Sequence, residues 1–104
     1  MAEEVIGEVL WTSTAKTTFN NIVEHLRKHW TEKEVEKLVE TTTELISNIR
    51  RFPEMCRPST KRKNVRIGIL DKHTQLVYHY KPRKKQIVVL LFWGFKQNPA
   101  KFKY

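Results

Sequence analysis

The chain has 104 residues, a formal net charge of +9 at pH 7, 39% hydrophobic residues and three glycines. This length provides for one compact core, so residues 1–104 are expected to form a single domain, and the composition excludes a disordered tail. The longest uninterrupted apolar run, residues 87–93, is far shorter than the roughly 18 residues of a membrane-spanning helix.

The N-terminal residues contain a short apolar stretch, and we predict a first strand at residues 4–11. They lack the basic region and the continuous apolar region of a signal peptide, so a cytoplasmic protein is expected. Thr12, Ser13 and Thr14 follow, and each has a hydroxyl suited to cap a helix. Apolar residues then recur at helical spacing from Phe19 to Trp30, which predicts a first helix at residues 13–30.

A second helix is predicted from Thr31 to Arg51. Thr31 and Glu34 match the capping box, in which a hydroxyl and a carboxylate satisfy free amides at a helix start. Apolar residues continue at helical spacing to residue 49, and Pro53 ends the run. The two helices are expected to form an antiparallel hairpin.

The period of the apolar residues changes from 3.6 to 2 after a loop at residues 53–60. Alternation at residues 65–69 and 76–80 predicts two antiparallel strands, with hairpin connections at residues 71–74 and 81–85. The run at residues 87–93 is apolar on both faces, which is typical of an interior strand. The sequence therefore predicts an α+β fold in which a strand and a helix hairpin precede a three-stranded antiparallel meander.

Positive charge is concentrated in this second half of the chain. Residues 1–50 hold six Lys or Arg against nine Glu, a net charge of −3, whereas residues 51–104 hold fourteen against two acidic residues, a net charge of +12. A basic half of this kind is suited to nucleic acid, an acidic protein segment or an anionic membrane surface. Its aromatic residues are equally consistent with base stacking and with an ordinary sheet core.

Metal, nucleotide and thiol sites find little support in the sequence. His25 and His29 are four residues apart on the first helix, but no glutamate follows His25 and no cysteine pair accompanies them. The glycines are too far apart for a phosphate-binding loop. Cys56, the one cysteine, allows no internal disulfide and has no nucleophile motif around it. We expect no metal and no cofactor.

Several polar residues near the predicted sheet are candidates for a functional site. Arg66 projects from a strand whose other face is apolar, His79 lies on the next strand, and Lys96 and Gln97 follow the last strand. Together they are predicted to form a cationic pocket on the face of the sheet away from the helices. We expect Arg66→Ala and Lys96→Ala to reduce function while leaving the fold intact.

The order of these elements resembles the RelE/ParE superfamily of bacterial toxins over nearly the whole chain. The resemblance is carried by four stretches: Trp11-Thr12-Ser13-Thr14-Ala15, Asn64-Val65-Arg66, Leu76-Val77-Tyr78-His79-Tyr80, and Phe92-Trp93-Gly94-Phe95-Lys96-Gln97-Asn98-Pro99. The last stretch is similar to the arginine-glutamine-asparagine-proline ending of ParE-like members, with Lys96 in place of arginine. The resemblance implies helices packed on one face of the sheet, and a plasmid-stabilisation module in which an acidic antitoxin wraps and neutralises the toxin.

Two mechanisms divide the superfamily, and the resemblance leaves both open. RelE-like members cleave messenger RNA on the ribosome without a metal, using lysines, arginines and a C-terminal tyrosine. Here Gln75 and Lys96 stand where arginines are usual, and Tyr104 lies beyond the usual place of the tyrosine. Arg66, His79, Lys96 and Tyr104 are the candidates for a substitute catalytic set.

ParE-like members inhibit DNA gyrase, which requires only a binding surface, and the ending of this chain favours that branch. A third alternative is a nucleic-acid-binding module without toxicity. The predicted partners are a cognate antitoxin and DNA gyrase, or the ribosome and messenger RNA, in a toxin–antitoxin hetero-oligomer. The predicted partner-binding residues are Arg62, Lys63, Arg66, Lys96, Gln97, Asn98 and Lys101.

Overall fold

The computed structural model describes residues 7–94 and 99–104. Within them the chain forms β1 (Glu8–Trp11), α1 (Ser13–His29), α2 (Glu32–Arg51), β2 (Arg57–Pro58), β3 (Val65–Ile69), β4 (Thr74–Lys81) and β5 (Gln86–Gly94), then a 3-10 turn at Pro99–Lys101. The predicted order of strand, helix hairpin and meander is confirmed. No helix of the described ranges has the length and apolarity needed to cross a membrane.

The five strands form one mixed sheet in the order β1-β5-β4-β3-β2. The pairs β3–β4 and β4–β5 are antiparallel, which confirms the predicted meander, and β5 is an interior strand as predicted. Two features were not predicted. β1 pairs in parallel with β5, and β2 forms within the predicted loop at residues 53–60 and pairs with the edge of β3.

Both helices start where the sequence predicts, but by different means. The Thr12 hydroxyl accepts a hydrogen bond from the Ala15 amide at 3.0 Å and donates one to the Leu90 carbonyl at 2.7 Å, so it caps α1 and also ties it to β5. Thr31 is the N-cap of α2 but makes no side-chain capping bond. The predicted capping box is therefore not formed, and the amide of Glu34 instead donates to the Thr31 carbonyl at 3.0 Å.

The helices pack against one face of the sheet and form the main core. At its centre the Phe92 ring lies 5.1 Å from the ring of Trp11 and 5.0 Å from the ring of Phe19, which joins β5, β1 and α1. The buried residues of this core are Ala15, Leu38, Ile49, Leu70, Leu76, Tyr78, Ile87, Val89 and Phe92. Trp30, the last residue of the apolar spacing that predicted α1, is 62% exposed because it follows the end of the helix.

A second, smaller core covers the opposite face of the sheet. Its buried members are Val65, Ile67, Val77 and Leu91, and its cover is the C-terminal residues Phe102 and Tyr104. An irregularity in the β4–β5 register shifts the alternation of β5, so that Val89 faces the helices and Leu91, two residues later, faces the opposite side. Ile69 continues the alternation of β3 but is 65% exposed, since it lies where the strand ends.

Candidate functional site

A basic pocket lies at the end of the sheet where β4 turns into β5. Its volume is about 470 Å³. The lining is rich in cationic side chains and contains no carboxylate; it consists of Lys63, Asn64, His79, Tyr80, Lys81, Pro82, Arg83 and Lys84. Lys63, Arg83 and Lys84 are exposed, so their ammonium and guanidinium groups are available to an anionic partner.

Two left-handed residues shape this basic pocket. Asn64 has φ 60° and Lys85 has φ 50°, and both lie in turns that bring basic segments to the same end of the sheet. The Asn64 carbonyl accepts the amide of Tyr80 at 2.9 Å, which holds the turn before β3 against β4. Lys63 is thereby kept beside the β4–β5 turn although the sequence separates the two by about twenty residues.

His79 lies in this basic pocket and is half-buried. Burial lowers the pKa of His79, and repulsion from the Lys81 ammonium lowers it further. The imidazole is consequently neutral at pH 7 and can accept a hydrogen bond there. The Lys81 side chain lines the same pocket.

The folded protein is expected to lose stability as the pH falls from about 7 to 5, in part through His79. Its pKa is lower in the folded chain than in the unfolded chain, where it is near 6.5, so acid favours the unfolded form. His79→Gln should make this loss smaller. Urea unfolding at pH 7.5 and pH 5.0 measures it, and identical losses in both proteins would contradict the prediction.

Arg66 does not share this pocket, and the predicted cationic pocket containing Arg66 and His79 is wrong. The strand register pairs Arg66 with Tyr78, whose ring is in the helix-side core, and pairs Val65 with His79 on the opposite face. Arg66 Nη1 donates to the carbonyls of Glu54 at 3.0 Å and Cys56 at 2.7 Å. Its guanidinium therefore holds the segment that follows α2.

The same segment is fixed by Tyr78. The Tyr78 hydroxyl donates to the Pro53 carbonyl at 2.6 Å. Burial and the adjoining thiol raise the pKa of Tyr78, and burial also raises the pKa of Cys56, so both groups are protonated at neutral pH. A protonated thiol of this kind is a poor nucleophile, in agreement with the sequence.

Of the other predicted site residues, four lie in the described part of the chain and three lie outside it. Arg62 and Tyr104 contact each other, with the guanidinium carbon 4.9 Å from the centre of the Tyr104 ring, on the face away from the helices. Lys101 is exposed in the 3-10 turn, and Lys63 lines the basic pocket. Three predicted residues lie outside the described part of the chain: Lys96, Gln97 and Asn98.

A larger groove, of about 840 Å³, runs between the helix hairpin and the β3–β4 turn and was not predicted. Ile22 and Leu26 contribute apolar surface, and Lys37 and Asp71 contribute charge. The exposed Trp30 also lines it. A tryptophan placed at the junction of two helices was the available sequence signal for this groove.

The described residues contain no group of three or more His, Cys, Asp or Glu side chains arranged to hold a metal. The rings of His25 and His29 lie 4.7 Å apart on α1, which is the pairing that their spacing predicts. Two imidazoles alone fall short of the four ligands of a typical structural zinc site.

Comparisons with known proteins found a matching family model and solved structures of similar fold. A family model described as the ParE toxin of the type II toxin–antitoxin system, parDE, matches residues 9–99. The chain is similar to a structure of the chromosomal ParDE TA system from P. aeruginosa, with a TM-score of 0.68 and 20% identity over 84% of this chain and 94% of that chain. It is also similar to a YoeB/ParE toxin from Agrobacterium tumefaciens, with a TM-score of 0.62 and 14% identity over 84% and 96% of the two chains. No curated protein matches the chain.

Proposed function

Because the chain belongs to the ParE toxin family of type II toxin–antitoxin systems, we propose that it inhibits bacterial growth by binding DNA gyrase in the cytoplasm, and that a cognate acidic antitoxin neutralises it. The observation that carries this proposal is the family match over residues 9–99. Gyrase inhibition requires a binding surface rather than a catalytic set, and the described residues supply surfaces of that kind: a basic pocket and an apolar groove.

The charge distribution supports an acidic antitoxin as the direct partner. Residues 51–104 contain fourteen Lys or Arg and two acidic residues. In the fold one of those two, Asp71, lies in the β3–β4 turn, at the end of β4 opposite the basic pocket. A segment rich in Asp and Glu would neutralise this excess of positive charge, and the same charges would speed its association.

The alternative of a metal-independent endoribonuclease has less support from the geometry. Such a reaction needs a group to activate the ribose hydroxyl, a cation near the phosphorane and an acid for the leaving oxygen, all within hydrogen-bond reach of one phosphate. Arg66 is held by main-chain carbonyls on the helix side of the sheet, whereas His79 and Tyr104 belong to the other face. A binding function needs no such convergence.

Regulated expression in a bacterium tests the proposed function. Growth, plasmid supercoiling and transcript integrity are followed in parallel, with and without co-expression of the product of the adjacent reading frame. We expect growth arrest and loss of negative supercoiling with intact transcripts, and recovery when an acidic antitoxin is co-expressed. Cleaved transcripts with normal supercoiling would instead support the endoribonuclease, and harmless expression would contradict a toxin.

Two matched double variants test whether the antitoxin binds at the basic pocket. Lys63→Ala with Lys84→Ala removes two charges from the basic pocket, and Lys28→Ala with Lys33→Ala removes two exposed charges from the helical half. The first is expected to weaken antitoxin binding by about tenfold or more at low salt, and the second to leave it nearly unchanged. Equal losses would mean that net charge, and not the pocket, determines binding.

A further inference from the structure

The C-terminal residues Phe102, Lys103 and Tyr104, here named the C-terminal strap, cover the face of the sheet that the helices leave free. The Phe102 ring lies 5.1 Å from the ring of Trp93 and 5.9 Å from the ring of Tyr104. Both strap rings pack on a cluster whose buried members are Val65, Ile67, Val77 and Leu91. The side chains of Phe102 and Tyr104, two positions apart, thus lie on the same apolar surface.

Three side chains of the loop after β2, named here the clasp loop, hold the strap by its backbone. The Lys61 Nζ donates to the Phe102 carbonyl at 3.0 Å, and the Arg62 Nε donates to the Lys103 carbonyl at 3.3 Å. The Ser59 hydroxyl donates to the main-chain oxygen of Tyr104 at 2.5 Å. Since every acceptor is a main-chain oxygen, these contacts hold the strap by its backbone and do not depend on the side chain of Lys103.

The strap is a poor electrostatic match for the surface that it covers. Its middle residue, Lys103, is an exposed cation placed beside the cations Lys61 and Arg62. These two cations have neutral carbonyls as their acceptors in the strap. An acidic side chain in the place of Lys103 would replace this repulsion between cations by attraction, and the main-chain acceptors would remain the same. An acidic segment of the same shape would therefore bind this surface better than the strap does.

The floor of this surface also contains an unsatisfied acceptor. Gln75 lies opposite Trp93 in the strand register, on the strap side, and is 8% exposed. Its Oε1 has no hydrogen-bond partner among residues 7–94 and 99–104. A buried acceptor without a donor is unfavourable, and a peptide N–H would satisfy it.

We propose that this face is a peptide-binding cleft which the C-terminal strap occupies in cis, and that an acidic segment with large apolar side chains at alternate positions displaces the strap. The identity of that segment as part of the antitoxin rests on the proposed function, whereas the existence of the cleft does not. The strap acts as an internal competitor. The apparent affinity of the cleft for a peptide is its intrinsic affinity multiplied by the fraction of molecules in which the strap is not bound.

The test uses the 104-residue chain and a defined probe. The probe is the peptide glutamate-phenylalanine-glutamate-tyrosine with a free carboxyl terminus and fluorescein at its N-terminus. Binding is followed by fluorescence anisotropy. The double variant Phe102→Ala with Tyr104→Ala releases the strap and is expected to bind the probe about tenfold more tightly than the wild type. Arg62→Ala removes a donor and a cation from the clasp loop and is expected to weaken probe binding by about tenfold or more.

Lys103→Glu is expected to change probe binding in the opposite direction from the double variant. It leaves the rings of Phe102 and Tyr104 in place. It converts the strap into a better occupant of its own cleft, so the probe is expected to bind several-fold more weakly than to the wild type. Equal probe affinity for the wild type, the double variant and Lys103→Glu would overturn the proposal, as would the lack of saturable binding to all of them. Because the readout is peptide binding and not growth, the cleft and the proposed toxin function can fail separately.

Discussion

Phe92→Ala is expected to lower the free energy of unfolding by about 3–5 kcal/mol, which is a large part of the stability of a domain of this size. Phe92 is 1% exposed and touches the rings of Trp11 and Phe19, so its removal leaves a cavity where β1, α1 and β5 meet. Urea unfolding followed by circular dichroism measures the change. We expect growth inhibition to be lost as well, because much of the protein would be unfolded in the cell.

Phe52→Ala is the matched control for this prediction. Phe52 is 54% exposed at the end of α2, and the same change of side chain there should cost less than about 1 kcal/mol. A similar loss of stability in the two variants would mean that the aromatic cluster around Phe92 is not the centre of the core. Phe92→Leu should fall between the two, since it retains most of the buried volume.

Arg66→Ala is expected to destabilise the protein by about 2–3 kcal/mol, in contrast to the functional role that its sequence context suggested. The guanidinium donates two hydrogen bonds to the carbonyls of Glu54 and Cys56, and its loss leaves the partly buried Cys56 acceptor without this donor. The segment after α2 would then be held mainly by the Tyr78 hydroxyl. The midpoint of urea unfolding reports the change.

The control for Arg66 separates structure from function. Arg57→Ala removes an exposed arginine from the neighbouring strand and should change stability by less than about 0.5 kcal/mol. Growth inhibition, normalised to the amount of folded protein, should be similar for Arg66→Ala and the wild type. A normalised activity that falls while stability is retained would restore Arg66 to the functional site.

Local patterns along the chain were sufficient to predict the helices, the strands of the meander and the distribution of charge. The spacing of apolar residues repeats within a few positions, so α1, α2 and the meander β3–β4–β5 were predictable with errors of a few residues at their ends. The concentration of cations in residues 51–104 is a property of composition and needed no structure. The resemblance built on these elements led to the family that the comparison over residues 9–99 shows.

Contacts between distant residues were decided only in the tertiary structure. The parallel pairing joins Glu8 to Gln86, and no pattern within β1 specifies which strand it will meet. The short β2 has no alternation to detect, because two residues cannot show a period.

The face of the sheet on which Arg66 lies is the clearest case. Alternation showed that the side chain of Arg66 lies on the opposite face of the sheet from Val65 and Ile67. Both faces of the sheet at β3 are covered, one by the helices and one by the C-terminal strap. Which cover lies on which side depends on the path of the whole chain. The sequence by itself therefore determined a basic α+β protein of this toxin family. Only the tertiary structure decided that Arg66 lies on the helix side, bonded to the carbonyls of Glu54 and Cys56, and that the C-terminal residues cover the other face. The physical reason is that periodicity is local, whereas the packing of layers is not.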